Sequence, residues 1–288
     1  MRRRAAYVCL YVRHSTEYGE GSIQNSKTQT HAQTIMPQLA YRSERAPPGS
    51  LGSPRDPRSN HILAALPTTE WKLWEAYLEP IEMPLAKVLH ESGEVFHYVY
   101  FPTTAIISLL YLLENGASAE IAIVGNEGMA GIALFMGGKS TPSQAVVQSA
   151  GHGFRLPAAR LMEDFERAPI LHLFLRYTQA LITQMAQTAV CNRHHSLDQQ
   201  LCRWLLISMD RLQGNELKMT QELIANMLGV RREGVTEAAL KLQRAGLISY
   251  ARGLIKVLDR KGIEARCCEC YAVVRKEYDR LLPDRVAT

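Results

Sequence analysis

The rhythm of apolar positions changes several times along the chain, and each change predicts a different element. Up to about residue 60 there is no rhythm at all: Ser, Thr, Gln, Pro, Gly and Arg dominate, and the run APPGSLGSPRDPRSN offers almost nothing to bury. Such a stretch does not recover its ordering entropy, so residues 1–60 are expected to form a disordered, basic extension. A start of translation at Met36 is the plainer alternative for its first part. From His61 to Pro80 a short helical segment follows, anchored by Trp71, Leu73, Trp74 and Leu78. Between Ile81 and Leu156, short apolar runs alternate with glycine corners, and VLHESGE, YVYFP, AIISLLYLL, EIAIVGNEG and QAVVQS each read as a strand or strand-turn piece. Many short strands of this kind predict a compact β-roll or barrel.

At Pro169 the period becomes helical, and a proline suits a first helical turn, where its missing N–H is harmless. Leu171, Phe174, Thr178, Leu181, Met185 and Thr188 alternate steps of three and four, while Leu175, Ile182 and Ala189 form a second column. A helix with two apolar edges fits packing on its own roll and on a second copy of the chain. Burial within a single chain is the alternative, given the two threonines.

Thr220 to Ile248 holds two short helical patterns split by Gly229. Thr220 is a good N-cap, Glu222 suits the first turn, and Leu223, Ile224, Met227 and Leu228 face inward. In the second pattern Val235, Ala239 and Leu242 make the buried stripe, with Ala238 beside it. Arg232, Glu233, Thr236 and Glu237 are left on the outer N-terminal surface, and a two-stranded hairpin is expected from Leu247 to Val257. Helix, tight turn, basic helix and small wing is the order that places a helix in the major groove of DNA.

Charge agrees with this position. Between Val230 and Lys261 there are eight basic and three acidic residues, a net +5 equal to the formal charge of the whole chain. Arg231, Lys241, Arg244 and Arg252 are candidates for phosphate contact. Arg232, Glu233, Thr236 and Glu237 are candidates for base readout, since Arg donates bidentately to guanine and Glu accepts from cytosine.

Composition narrows the rest. A chain of 288 residues, 47% hydrophobic and 21% charged, has room for about two domains. The longest apolar stretch, Ala105 to Leu113, is too short to span a bilayer. MRRRAAYVCLYVRH has three arginines before a short apolar run but no clear cleavage site, so the chain is read as cytoplasmic. No GxxxxGK[ST], GxSxG or HExxH pattern occurs, and the chain is not expected to be an enzyme. Two alternatives stay open: an adaptor whose winged helix binds protein, and a cupin-like metal enzyme. For the latter His90, His97 and His152 are scattered.

The segment KMTQELIANMLGVRREGVTEAALKLQRAGLI resembles the winged-helix domain of the Crp/Fnr transcription regulators. The resemblance implies an α+β fold: an N-terminal β-roll of the cyclic-nucleotide-binding type, a long dimerisation helix, and a C-terminal winged helix-turn-helix. The expected boundaries are 61–166, 167–193 and 194–288. It further implies a homodimer on a near-palindromic site of double-stranded DNA, with RNA polymerase as a partner. The family's base-reading Arg-Glu pair falls on Arg232 and Glu233, while a further specificity arginine of cyclic-AMP-responsive members falls on Glu237.

In the roll, Ser92-Gly93-Glu94 and Gly125-Asn126-Glu127-Gly128 are similar to the family's turns. Nucleotide-binding members use a Gly-Glu pair and an arginine. Here Gly131 is followed by Ile132, the arginine position falls near Ser143 or Gln144, and Lys139 is the nearby cation. Control by cyclic AMP is therefore not expected, and the effector is left unknown. Ile132, Ala133, Leu134, Phe135 and Met136 either fill the cavity as core or line a site for something less polar.

Of six cysteines only Cys9 lies near the N-terminus, where the family's iron–sulfur branch carries its ligands, so no such cluster is expected. Cys267, Cys268 and Cys270 are dense enough to consider metal binding or thiol redox chemistry. Without a matching second pair of cysteines they read as a partly buried helical tail. Cys191, His194 and His195 read as hinge residues, and neither a metal nor a cofactor is expected.

Overall fold

The computed structural model describes residues 56–114, 117–212 and 214–282. Most of the basic extension, with Cys9 and the alternative start at Met36, lies outside the described residues. Its last residues do not conform to the expected disorder. Asp56 caps a 3-10 turn over Pro57–Ser59, and the fully buried Asn60 caps α1 (His61–Ala64). The Asn60 amide also donates to the carbonyls of Pro102 (2.9 Å) and Gly128 (2.8 Å). One buried amide that satisfies a carbonyl at the end of a strand and another in a turn orders the chain before any apolar pattern begins.

α2 (Thr68–Trp74) places Trp74 against Phe101 and Phe174, where its indole donates to Asp164 (3.1 Å). The roll follows as β1 (Glu79–Met83), β2 (Val88–His90), β3 (Tyr98–Pro102), β4 (Ile106–Leu112), β5 (Ser118–Val124), β6 (Ser143–Ser149) and β7 (Gly151–Pro157). Two antiparallel sheets form, in the orders β1-β7-β3 and β2-β6-β4-β5. β1 and β7 do not stand out by pattern: EPIEM and GHGFRLP are weak in β-branched residues and carry Pro or Gly.

α3 (Ala158–Asp164) leads into α4 (Ala168–His194), 27 residues long with its proline in the first turn. Phe174, Thr178, Leu181 and Thr188 are buried on its inner face, whereas Leu175 and Ile182 are 51% and 52% exposed. Ser196 and Gln199 form a capping box that starts α5 (Leu197–Arg211). β8 (Glu216–Lys218), α6 (Gln221–Leu228), α7 (Arg232–Arg244), β9 (Ile248–Ala251) and β10 (Leu254–Val257) complete a winged unit whose three strands run β8-β10-β9. The hairpin matches expectation; the third strand, only three residues long, carries no readable period.

α8 (Arg260–Arg266) and α9 (Glu269–Leu281) close the chain. α9 runs back to the long helix, and its Val274, Tyr278 and Leu281 join the core formed by the roll and α4. The second core, built by α5 to α8 and the wing, takes in Ile106 and Ile123 from the roll. No helix among the described residues is long and apolar enough to cross a membrane.

Candidate nucleic-acid interface

The turn between α6 and α7 is set by local chemistry. Thr220 accepts a hydrogen bond from the Leu223 N–H (3.2 Å), which satisfies one of the donors left at a helix start. Gly229 ends α6 at φ +65°, a conformation that side-chain-bearing residues avoid. Ile224, Ala225 and Leu228 from α6 meet Val235, Ala238, Ala239 and Leu242 from α7. The alanines let the two helices cross closely.

That packing turns the polar face of α7 outward. Arg231 precedes its first turn, Arg232 and Glu233 lie within that turn, and all three are exposed. No side chain caps the N-terminus of α7, so its first N–H groups are open to an anion. Arg252 occupies the wing tip with φ +51°, followed by Gly253 at +75°, and such a two-residue turn matches the twist of its strands. Tyr250 fixes the wing: its hydroxyl donates to Met219 O (2.8 Å) and its N–H to Gln243 (3.2 Å). Burial raises the Tyr250 pKa to about 12, so this donor stays protonated. Thr220, Gln221, Glu222, Arg232, Tyr250 and Arg252 line an open groove between α7 and the wing.

Other candidates already have partners. The Thr236 hydroxyl lies 2.7 Å from Gln221 Oε1 and 3.1 Å from Arg232 O. Glu237 pairs with Lys241 (3.1 Å), which also reaches Asp198 (3.5 Å). Arg244 is exposed at the far end of α7. Two further cations of the basic segment serve the fold. Arg260 binds Asp210, Glu264 and Tyr271, and Lys256 pairs with Glu216.

Residues 199–266 match the family model of the Crp-like helix-turn-helix domain. The C-terminal part of this chain is a Crp-like helix-turn-helix domain. The fold agrees over a longer span. A protein from Eubacterium rectale assigned to the Crp/Fnr family of transcriptional regulators is 21% identical, covers 70% of this chain and 94% of its own, and superposes with a TM-score of 0.57. A CRP-family transcriptional regulator from Thermus thermophilus is 19% identical over 65% of this chain and 95% of its own (TM-score 0.55). FixK2 from Bradyrhizobium japonicum is 15% identical over 66% and 98% (TM-score 0.54). No curated protein matches the sequence significantly. The fold is therefore that of the Crp/Fnr regulators: roll, long helix and winged helix-turn-helix, as the resemblance implies.

Sequence reasoning missed how the Crp-like domain is fastened to the roll. Glu120 on β5 is buried and accepts from Ser108 on β4 and from the Trp204 indole on α5 (3.1 Å). Ser108 also reaches Gln148 (2.8 Å) and lies 3.4 Å from Met227 of α6. Burial pushes the Glu120 carboxyl up to about 7, against the opposing pull of the Ser108 hydrogen bond and the Arg203 charge. Beside it, the buried Arg211 guanidinium binds Glu127 of the roll (2.7 Å), Gln184 of α4 (2.9 Å) and the Ile207 carbonyl (2.9 Å). The one available signal was polar residues interrupting apolar runs, as Ser108 does in AIISLLYLL.

In the roll, Gly131 takes φ +117° and opens a 3-10 turn over Ile132–Leu134. Leu134 and Phe135 are buried, and Ile132 and Ala133 pack on the same core. Only Met136 of the five is exposed. Phe135 lies 5.0 Å from Phe174 and 6.2 Å from Phe165, ring centre to ring centre. Gln144 bonds Glu91 (2.7 Å), and Lys139 is exposed. The segment is core. His90 stacks on Phe96 (3.9 Å) while His97 and His152 are exposed, and none joins a potential metal-ligand group among the described residues.

Proposed function

We propose that the chain is a homodimeric, sequence-specific DNA-binding regulator of transcription whose roll does not answer to cyclic AMP. The observation that carries this reading is the exposed N-terminal face of α7, with Arg231, Arg232 and Glu233 turned away from a fully apolar inner face and with the Arg252 wing tip alongside. In this reading Arg232 and Glu233 meet base edges, neither of them forming an ion pair among the described residues. Thr236 and Glu237 lie one turn further in and exchange their present partners for bases. Arg231 and Arg252 take phosphates, and Lys241 and Arg244 the more distant backbone.

The exposed Leu175 and Ile182 column of α4 supports the dimer, because apolar side chains half open to water at seven-residue spacing suit a second copy of the same helix. A two-fold axis along α4 would set the two recognition helices about 34 Å apart, in successive major grooves of a near-palindromic site. RNA polymerase is the partner such an output needs. Cyclic AMP would find neither an acidic residue after Gly131 nor an arginine at the position near Ser143 and Gln144, so calorimetric titration at micromolar ligand should give no heat. A stoichiometric micromolar transition would reverse that part of the reading.

A gel shift across a salt series tests the whole. Phosphate contacts make affinity fall steeply with salt, and a homodimer gives one retarded species of two chains. No binding at low salt would favour an adaptor, and a monomer by light scattering would remove the palindrome.

A further inference from the structure

Four side chains of the types that bind metals, from two distant stretches of sequence, meet where the long helix gives way to the Crp-like domain. Cys191 lies in the last turn of α4 and His195 directly follows its end, while Cys268 caps α9 and Cys270 lies in its first turn. Their ligand atoms all lie within 4.8 Å of one another. Cys191 Sγ is 3.6 Å from Cys268 Sγ, and Cys270 Sγ is 3.5 Å from His195 Nδ1. A tetrahedron with Zn–S of about 2.3 Å and Zn–N of about 2.0–2.1 Å has edges of roughly 3.8 Å between sulfurs and 3.6 Å between sulfur and nitrogen. The Cys191–Cys268 and Cys270–His195 separations fall close to those edges, and every other pair lies within 4.8 Å.

The surroundings fit a metal better than ordinary core. The three sulfurs are buried in a cluster separate from both hydrophobic cores, with Cys267 as its partly buried apolar neighbour. The other nitrogen of His195, Nε2, faces the Glu269 carboxylate at 3.5 Å. A carboxylate behind a histidine fixes its tautomer and leaves Nδ1 with a lone pair for a metal. Three thiolates around a dication leave one negative charge to neutralise. The buried Arg203, which donates to the Thr188 hydroxyl (3.1 Å), supplies a positive charge beside Cys191.

We propose that Cys191, His195, Cys268 and Cys270 form a closed Cys3His zinc site that rivets the start of α9 to the end of α4. Three soft thiolates and an imidazole in a tetrahedron select zinc over hard cations, and four protein ligands leave no position for a substrate. On binding, three thiols lose their protons to solvent as three Zn–S bonds and one Zn–N bond form, with no change of oxidation state. The site takes in His195, the first residue of the two-residue link into α5, so the metal would hold the end of the long helix against the start of α9. The inference stands on these four residues and does not depend on DNA recognition.

The test is metal analysis of the full-length protein purified under reducing conditions. About one zinc per chain is expected, and cobalt substituted for it should show intense tetrahedral bands with thiolate-to-cobalt charge transfer. Cys191→Ser and Cys270→Ser should each weaken binding at least about tenfold. Cys202→Ser, which alters a buried thiol of α5 outside the four, should keep the full equivalent. Should a ligand variant fail to fold, the cobalt spectrum of the unaltered chain decides. A reduced, folded protein that takes up no zinc or cobalt, a cobalt form without charge transfer, or zinc retained in full by Cys270→Ser would each overturn the proposal. So would a Cys191–Cys268 disulfide in a reduced preparation that binds no metal.

Discussion

The first turn of α7 and the segment from Ile132 to Phe135 point their side chains in opposite directions. On α7 the charged side chains point to solvent over a packed apolar face. In the roll Ile132, Leu134 and Phe135 pack inward. A surface that reads DNA requires only that its scaffold be stable. A pocket requires space and buried polar partners that cost stability when no ligand fills them. Under the proposed function, a surface that reads DNA can therefore persist beside a roll filled with core.

The largest effect that can break this contrast is in the roll. Phe135→Ala should cost about 3–5 kcal/mol in chemical denaturation, the range for deleting a buried aromatic ring. A loss under about 1 kcal/mol would mean that the ring lines an open site instead of core. The second effect lies where the two regions meet. Glu120 keeps its proton in the folded state up to about pH 7, whereas the unfolded chain releases it near the ordinary carboxylate value of 4.5. Its contribution is therefore full below that lower value, falls as pH rises through the window, and is level above about 7. The slope is at most about 1.4 kcal/mol per pH unit, and Glu120→Gln should remove it. Denaturation midpoints at three pH values inside the window, compared between the two proteins, check this. An identical slope in both would place the titration elsewhere.

Smaller effects belong to the reading surface. Arg232→Ala should lose about 1–3 kcal/mol on the specific site and relax selectivity at one base position. Equal losses on specific and random DNA would refute its base-reading role. Arg252→Ala should weaken both DNAs alike and lower the salt slope by about one. A change in base preference at that position would make the wing tip a reader too.

Legibility in the sequence followed the range of the interactions. The caps and turn of the helix-turn-helix are local: Thr220, Gly229 and the Val235–Leu242 stripe are set within one or two turns of chain, and all appear where the pattern placed them. The exposed ends of Arg232 and Glu233 followed from the same period. What the sequence hid was long-range. Cys191 and Cys268 are 77 residues apart, so a search for paired cysteines at metal-site spacing could not join them. Glu120 meets Trp204 across 84 residues, and the return of α9 to the long helix depends on tertiary packing that no period reveals.

The most direct test of the central claim is selection of binding sites from random duplex DNA by the full-length protein, with Arg232→Ala run in parallel. The account predicts an enriched near-palindrome with half-sites one helical turn apart, degraded at one position per half-site by the substitution. A pool that stays random, or one enriched identically by both proteins, would contradict it.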